Sequence, residues 1–362
     1  MKQAKRTVLL FLIVYGMTAL SVMFKKPEEF SVSERRRLLQ KPDISFEALV
    51  SASYMRDMEA YVTDRFPLRE KLHGIKSLFS MGVMRKQDMD NIYYKDGYLT
   101  KMEYPMNLSS IEYASKIFNK INGMYFEGTD IRPYLCMIPD KNYFLSEEEY
   151  LSMDYELFIR EMEKQNRFLT PISIMEDIQL TDFYRTDTHW RQERIADIAE
   201  KIASAMETKI TGEYNVFSVE EPFYGVYYGQ ISLPIVPDDM NYCSNEILES
   251  CFVYDFENKK EIPMYDIEKA KGRDPYELFL GGNISVVSID NQKSASEKEL
   301  IVFGDSFSRC LVPLLAEGYK KTILIDIRYL PAASVGDFVD FANQDVLFLY
   351  SIQVLNNSIT LK

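Results

Sequence analysis

Residues 299–351, ELIVFGDSFSRCLVPLLAEGYKKTILIDIRYLPAASVGDFVDFANQDVLFLYS, decide the fold class. Three short, unbroken apolar runs, ELIVFG, TILIDI and DVLFLYS, are separated by segments that read as helices, Asp305 to Glu317 and Ala333 to Ala342. Strands apolar on both faces belong inside a sheet covered on both sides, and strands alternating with helices pair in parallel. Ligands of such sheets collect at the carboxyl ends of the strands. Gly304-Asp305-Ser306 falls at one of those ends, so the Ser306 hydroxyl emerges beside a helix N-terminus whose N–H groups can hold an oxyanion. The triplet reads equally as an ordinary cap, since Asp and Ser are favoured there.

Upstream the order is β-α-β-α. NIYYKDGYLTKM places Asp96-Gly97 between aromatic-rich runs, a hairpin signal. A helix from about Ser109 to Tyr125, the buried strand IRPYLCMIP and a helix from Leu151 to Phe168 follow. The stretch from about Gly212 to Val287 is richer in Tyr, Pro and Gly and reads as a β-rich excursion decorating the core. Residues 27–89 are helical and basic, with amphipathic stretches from Phe46 to Val62 and Pro67 to Met84, and read as a stalk or as a segment packed on the body. The expected division is 1–26, 27–89 and 90–362.

The chain has 362 residues, of which 46% are hydrophobic, enough for a sizeable core. Two His and four Cys are too few for a multi-His zinc site or an iron–sulfur cluster. Residues 1–41 hold nine Lys/Arg against three acids, so the net charge of −13 conceals a body at −19, which disfavours nucleic acid. Thr7 to Phe24 is uncharged and, as a helix, spans about 27 Å, the thickness of a bilayer core. It reads as an uncleaved membrane anchor, a cleaved signal peptide ending near Ala19-Leu20-Ser21, or a buried helix. Lys2, Lys5 and Arg6 place its short end in the cytoplasm, a bias weakened by Lys25 and Lys26, and the body outside it. Cys243 and Cys251 either close a short disulfide or stay free, while Cys136 and Cys310 read as buried small hydrophobes.

A serine nucleophile needs a base, and His is the usual one near neutral pH. His73, in FPLREKLHG, reads as a solvated or packed helix residue. His189 lies in YRTDTHWRQERIADIAEKIASAM, just before an amphipathic helix marked by Ile195, Ile198, Ile202 and Ala205. Asp187 stands two residues earlier, on the same side of an extended segment, where its carboxylate can fix the His189 tautomer. Trp190 is either a core aromatic or a stacking platform for a sugar ring.

Thr186-Asp187-Thr188-His189-Trp190 and Val302-Phe303-Gly304-Asp305-Ser306-Phe307 resemble motifs of the DHHW family of bacterial surface proteins and of the related alginate O-acetyltransferases. Ile138-Pro139-Asp140-Lys141, Phe279-Leu280-Gly281-Gly282-Asn283 and Asp326-Ile327-Arg328-Tyr329 extend the likeness in the same order, so that it covers roughly residues 30–355. One departure stands out: Thr188 occupies the place of the first His of the name-giving pattern.

The resemblance implies an α/β, SGNH-hydrolase-like fold, a three-layer parallel sheet with helices on both faces, which the transmembrane helix and stalk read from the sequence precede. It implies Ser306 as nucleophile, His189 as base and Asp187 as its orienting partner. For the oxyanion, the Ser306 N–H is joined by Gly282 and Asn283, although Gly282-Asn283 reads equally as a tight turn before ISVVSI. Arg328 and Tyr329 either line the same edge or form a structural salt bridge. The implied reaction is extracytoplasmic O-acetyl transfer to a hydroxyl of a cell-surface or exported polysaccharide, with no metal or soluble cofactor. The acetyl group would come from a donor or from a membrane-bound O-acyltransferase partner. The same triad also serves an acetylesterase, and a vestigial site would leave a membrane-anchored binding or assembly protein. The acidic body favours a neutral over a polyanionic glycan.

Overall fold

A computed structural model describes residues 2–24, 29–31, 36–146, 149–272 and 274–362. The flanking Lys25 and Lys26, and residues 32–35 of the expected stalk, lie outside the described residues. The chain divides into two compact units, Met1–Asp90 with Tyr228–Val236, and Asn91–Tyr227 with Pro237–Lys362.

In the first unit, the helix Lys2–Phe24 is long and apolar enough to cross a membrane. Helices Phe46–Val50 and Ser53–Asp64 are separate because Ala52 adopts φ 57°, which no helix continues through. The helix Arg69–Leu78 carries His73.

The second unit is built on a sheet of eight strands. In chain order these are β1 (Tyr134–Ile138), β2 (Thr170–Pro171), β3 (Phe252–Asp255), β4 (Lys260–Ile262), β5 (Val286–Asp290), β6 (Glu299–Gly304), β7 (Lys321–Ile325) and β8 (Asp345–Ser351). Their spatial order is β4-β3-β5-β7-β6-β8-β1-β2. Five of them, β7-β6-β8-β1-β2, pair in parallel. The wholly parallel sheet expected from the sequence is corrected by the other three. β5 runs antiparallel to β7, β3 to β5 and β4 to β3, so the stretch read as a decoration supplies one flank of the sheet itself. A hairpin can add such strands through a short turn, whereas parallel strands need a long crossover. Here the Asp255 carboxylate caps the turn by accepting the Glu257 and Asn258 N–H groups.

Period-two alternation sends β-strand side chains into two cores. Leu300, Val302, Leu347 and Leu349 join the helices α3 (Ala196–Ala205) and α4 (Ser308–Ala316) in one. Ile301, Phe303, Phe348 and Tyr350 join α1 (Leu108–Ile121) and α2 (Tyr155–Gln165) in the other. From β6 the chain passes to β7 on one side and then crosses to β8 on the other, which makes the carboxyl end of β6 a topological switch point.

Asp96 and Gly97 take φ 50° and 89° in the expected hairpin between Ile92–Lys95 and Tyr98–Lys101. The helix expected over Ala333–Ala342 is instead a 3-10 segment, Ala332–Asp337. The cause is Tyr125, whose hydroxyl donates to Ala332 O at 2.9 Å and accepts the Gly336 N–H at 3.1 Å. That hydroxyl occupies the place of the α-helical bond from Gly336 back to Ala332.

Candidate functional site

Ser306 sits in the turn between β6 and α4, half-buried at the switch point. Gly304 is required by close approach: a Cβ there would lie 2.6 Å from Ser308 Oγ and 3.0 Å from Leu349 O. Asp305 stitches the turn to β8, accepting the Phe307 N–H with one oxygen and the Ser351 N–H and hydroxyl with the other.

His189 and Asp187 arrive on a loop closed at its base, where Tyr184 N–H donates to His189 O and Phe183 bridges Trp190. His189 Nδ1 lies 2.6 Å from Asp187 Oδ1 and Nε2 lies 2.8 Å from Ser306 Oγ. With Nδ1 protonated, as the carboxylate favours, the Ser306 hydroxyl donates to Nε2. Asp187 is itself held, Oδ1 accepting the His189 N–H at 3.1 Å and Oδ2 the Val226 N–H at 2.8 Å. The backbone at Gly225 passes so close that a Cβ would fall 2.3 Å from Asp187 Cα. Tyr276 stacks on the imidazole at 3.8 Å and 11°, and burial raises its phenol pKa. Phe307 tilts against the same imidazole at 4.8 Å. The site thus holds a hydroxyl, an imidazole and a carboxylate in one hydrogen-bonded chain, joining residues 117 positions apart in sequence.

The other residues singled out in the sequence fall differently. Trp190 is fully buried, donating Nε1–H to Phe307 O at 2.9 Å, so its ring has no surface to offer a sugar and serves as a core aromatic. Gly282 takes φ 80° in a turn where Ile284 N–H donates to Gly282 O, and Asn283 is exposed. Among the described residues, no hydrogen bond joins Gly282 or Asn283 to Ser306; the turn is tied to α4 through Arg309, whose Nη2 donates to Ile284 O. Arg328 forms a two-pronged pair with Asp326, which raises its pKa further, and Tyr329 is exposed beside it. All four cysteines are unpaired. His73 belongs to the first unit.

Thr188 carries its own network. Its hydroxyl donates to Gln353 Oε1 at 2.9 Å and accepts from Tyr227 OH at 3.2 Å, and Gln353 Nε2 reaches Glu103. Val226, Tyr276 and Gln353 gave no signal in sequence, since each comes from a segment without a motif.

A serine–histidine–aspartate constellation at the carboxyl edge of a mixed α/β sheet defines the class of site. Comparison with solved structures places the chain beside a DHHW family protein from Eubacterium siraeum, with a TM-score of 0.57 and 16% identity over 76% of this chain and 97% of that one. Bacillus cereus PatB1, solved with a sulfonyl adduct, matches with a TM-score of 0.58 and 18% identity, covering 74% and 97%. The O-acetyltransferase domain of Pseudomonas putida AlgJ is more distant, with a TM-score of 0.44 and 12% identity over 74% and 92%. Neither a protein-family model nor a curated protein sequence matches the chain. The chain shares the fold of the DHHW family protein.

Proposed function

We propose that residues 90–362 form an SGNH-hydrolase-like catalytic domain that transfers acetyl groups to hydroxyls of a cell-surface or exported polysaccharide. The observation that carries this reading is the His189 imidazole bridging Asp187 at 2.6 Å and Ser306 at 2.8 Å. Ser306 Oγ attacks the acetyl carbonyl of the donor while its proton passes to His189 Nε2, and Asp187 stabilises the imidazolium. The proton then goes to the leaving group, which departs and leaves acetyl-Ser306. A sugar hydroxyl attacks that ester, gives its proton to Nε2, and the acetyl group moves to the sugar oxygen as Ser306 takes the proton back. The Ser306 N–H, in the turn leading into α4, is the first candidate oxyanion donor, with the Gly282-Asn283 turn the second. Arg328 and Tyr329, at the carboxyl end of β7, are the proposed contacts for the glycan.

The apolar helix Lys2–Phe24 supports a membrane anchor, the charges Lys2, Lys5 and Arg6 before its uncharged stretch support an extracytoplasmic body, and a membrane-bound O-acyltransferase is the proposed source of the acetyl group. The test is turnover of p-nitrophenyl acetate by the full chain with and without neutral oligosaccharide acceptors. Acetylated sugar appearing at the expense of free acetate supports transfer. Free acetate regardless of acceptor makes the chain an esterase with the same triad, and no turnover by folded protein removes the enzyme reading.

A further inference from the structure

The motif Ile138-Pro139-Asp140-Lys141 has no part in the chemistry above, yet Lys141 is 1% exposed. Burial pushes its ammonium down to about 7, with Asp238, Asp187 and Asp140 pulling it back up. A buried ammonium is costly unless its N–H groups are bonded. Lys141 Nζ donates to Tyr184 O at 2.8 Å and to Arg185 O at 3.2 Å. Asp238, 3% exposed, accepts at the other ends of the same two peptide groups. Arg185 N–H donates to Oδ1 and Thr186 N–H to Oδ2, each at 2.8 Å, and the Thr186 hydroxyl adds a bond of 2.6 Å to Oδ2. Two consecutive peptide dipoles therefore lie between a buried cation at their oxygens and a buried anion at their N–H groups. The next residue is Asp187.

We propose that Lys141 and Asp238 are positioning residues that grip the Tyr184–Thr186 backbone from both ends of its peptide groups and thereby set the Asp187–His189 alignment. The inference rests on reading His189 as the base. Charge-assisted bonds are about twice as strong as neutral ones, and four of them on two adjacent peptides fix the direction in which the chain enters Asp187. Neither residue touches the reacting atoms, so they act on kcat through geometry.

The test compares the full chain with Lys141→Met, Asp238→Asn, the double variant and Lys141→Arg. Three readouts are used: kcat and KM on p-nitrophenyl acetate, the low-field proton NMR signal of His189 Nδ1–H, and near-ultraviolet circular dichroism. A displacement of about 1 Å costs about 100-fold in rate, so each neutralising variant should lose about that in kcat at unchanged KM and lose or shift the low-field signal. The double variant should lose no more than the worse single, because both grip the same peptides, and Lys141→Arg should recover part of the loss. Folded variants with parental kcat and a parental low-field signal would overturn the inference, as would losses that multiply in the double. If Lys141→Met does not fold, Asp238→Asn, which keeps shape, carries the same comparison. A parent without turnover sinks the enzyme reading alone, since the NMR signal still reports whether the grip sets the Asp187–His189 contact.

Discussion

Replacing Asp187 by asparagine changes one atom and reverses a tautomer. Asp187 Oδ2 accepts the Val226 N–H at 2.8 Å and Oδ1 the His189 N–H at 3.1 Å, and the asparagine oxygen goes to the shorter of these two backbone bonds, at Val226. Its amide nitrogen then faces His189 Nδ1, at the position where Oδ1 now lies 2.6 Å away. An N–H donated to Nδ1 requires Nδ1 to be an acceptor, which moves the imidazole proton to Nε2. Nε2, 2.8 Å from Ser306 Oγ, then donates to the hydroxyl instead of taking its proton. The base is lost while the geometry stays, a change that costs about 10⁴-fold in kcat in triad enzymes, or about 5 kcal/mol of barrier. The same amide also meets the His189 backbone N–H, now donating to Oδ1 at 3.1 Å, so stability should fall by about 1–3 kcal/mol. Stopped-assay kinetics on p-nitrophenyl acetate, with thermal unfolding as the control for folding, measure both effects. An Asp187→Asn chain with parental melting temperature and more than a tenth of parental kcat would refute the assignment of roles.

Gly225→Ala should lower both stability and kcat, because the added Cβ falls 2.3 Å from Asp187 Cα; about 1–3 kcal/mol is expected in thermal unfolding, and a neutral result would mean the segment is not packed this way. Trp190→Phe should lower the melting temperature by removing the indole N–H from Phe307 O, with no change in KM for a saccharide acceptor; a KM effect at parental stability would restore the sugar-platform role. Burial, with Glu103 nearby, lifts the Asp140 carboxyl from 3.8 to about 7 in the folded chain. Between those values the folded chain holds a proton that the unfolded chain releases, so this group's contribution to stability declines as pH rises through that window. Asp140→Asn should flatten that part of the stability profile in denaturant titrations from pH 4 to pH 8, and an unchanged slope would contradict it.

The terminal strands were legible because each is a short apolar run ended by a turn, and Leu300 to Phe303 announce two buried faces by their composition alone. Asp187 and His189 were legible as a pair because they are two residues apart in an extended segment. Their meeting with Ser306 was not, since it depends on the switch point at β6, a property of strand order. The place of the antiparallel strands β3 to β5 in the main sheet escaped because hairpin alternation looks the same whether the hairpin stands alone or extends a larger sheet. The misread helix at Ala332–Asp337 has a single cause, the Tyr125 hydroxyl arriving from 207 residues away. Trp190 shows the limit for lone aromatics: the sequence left it between core and platform, and only its bond to Phe307 O decided. Lys141 stood in a motif, but its relation to Asp238 carried no signal, because it runs through the backbone of a third segment.

The central claim is that Ser306 takes an acetyl group. Intact-mass spectrometry of the full chain after brief exposure to p-nitrophenyl acetate, beside Ser306→Ala, tests it most directly. The account predicts an adduct of about 42 Da that maps to Ser306 and is missing from the variant. An unmodified chain that neither accumulates acetyl-Ser306 nor turns the ester over, or an adduct that persists in Ser306→Ala, would contradict it.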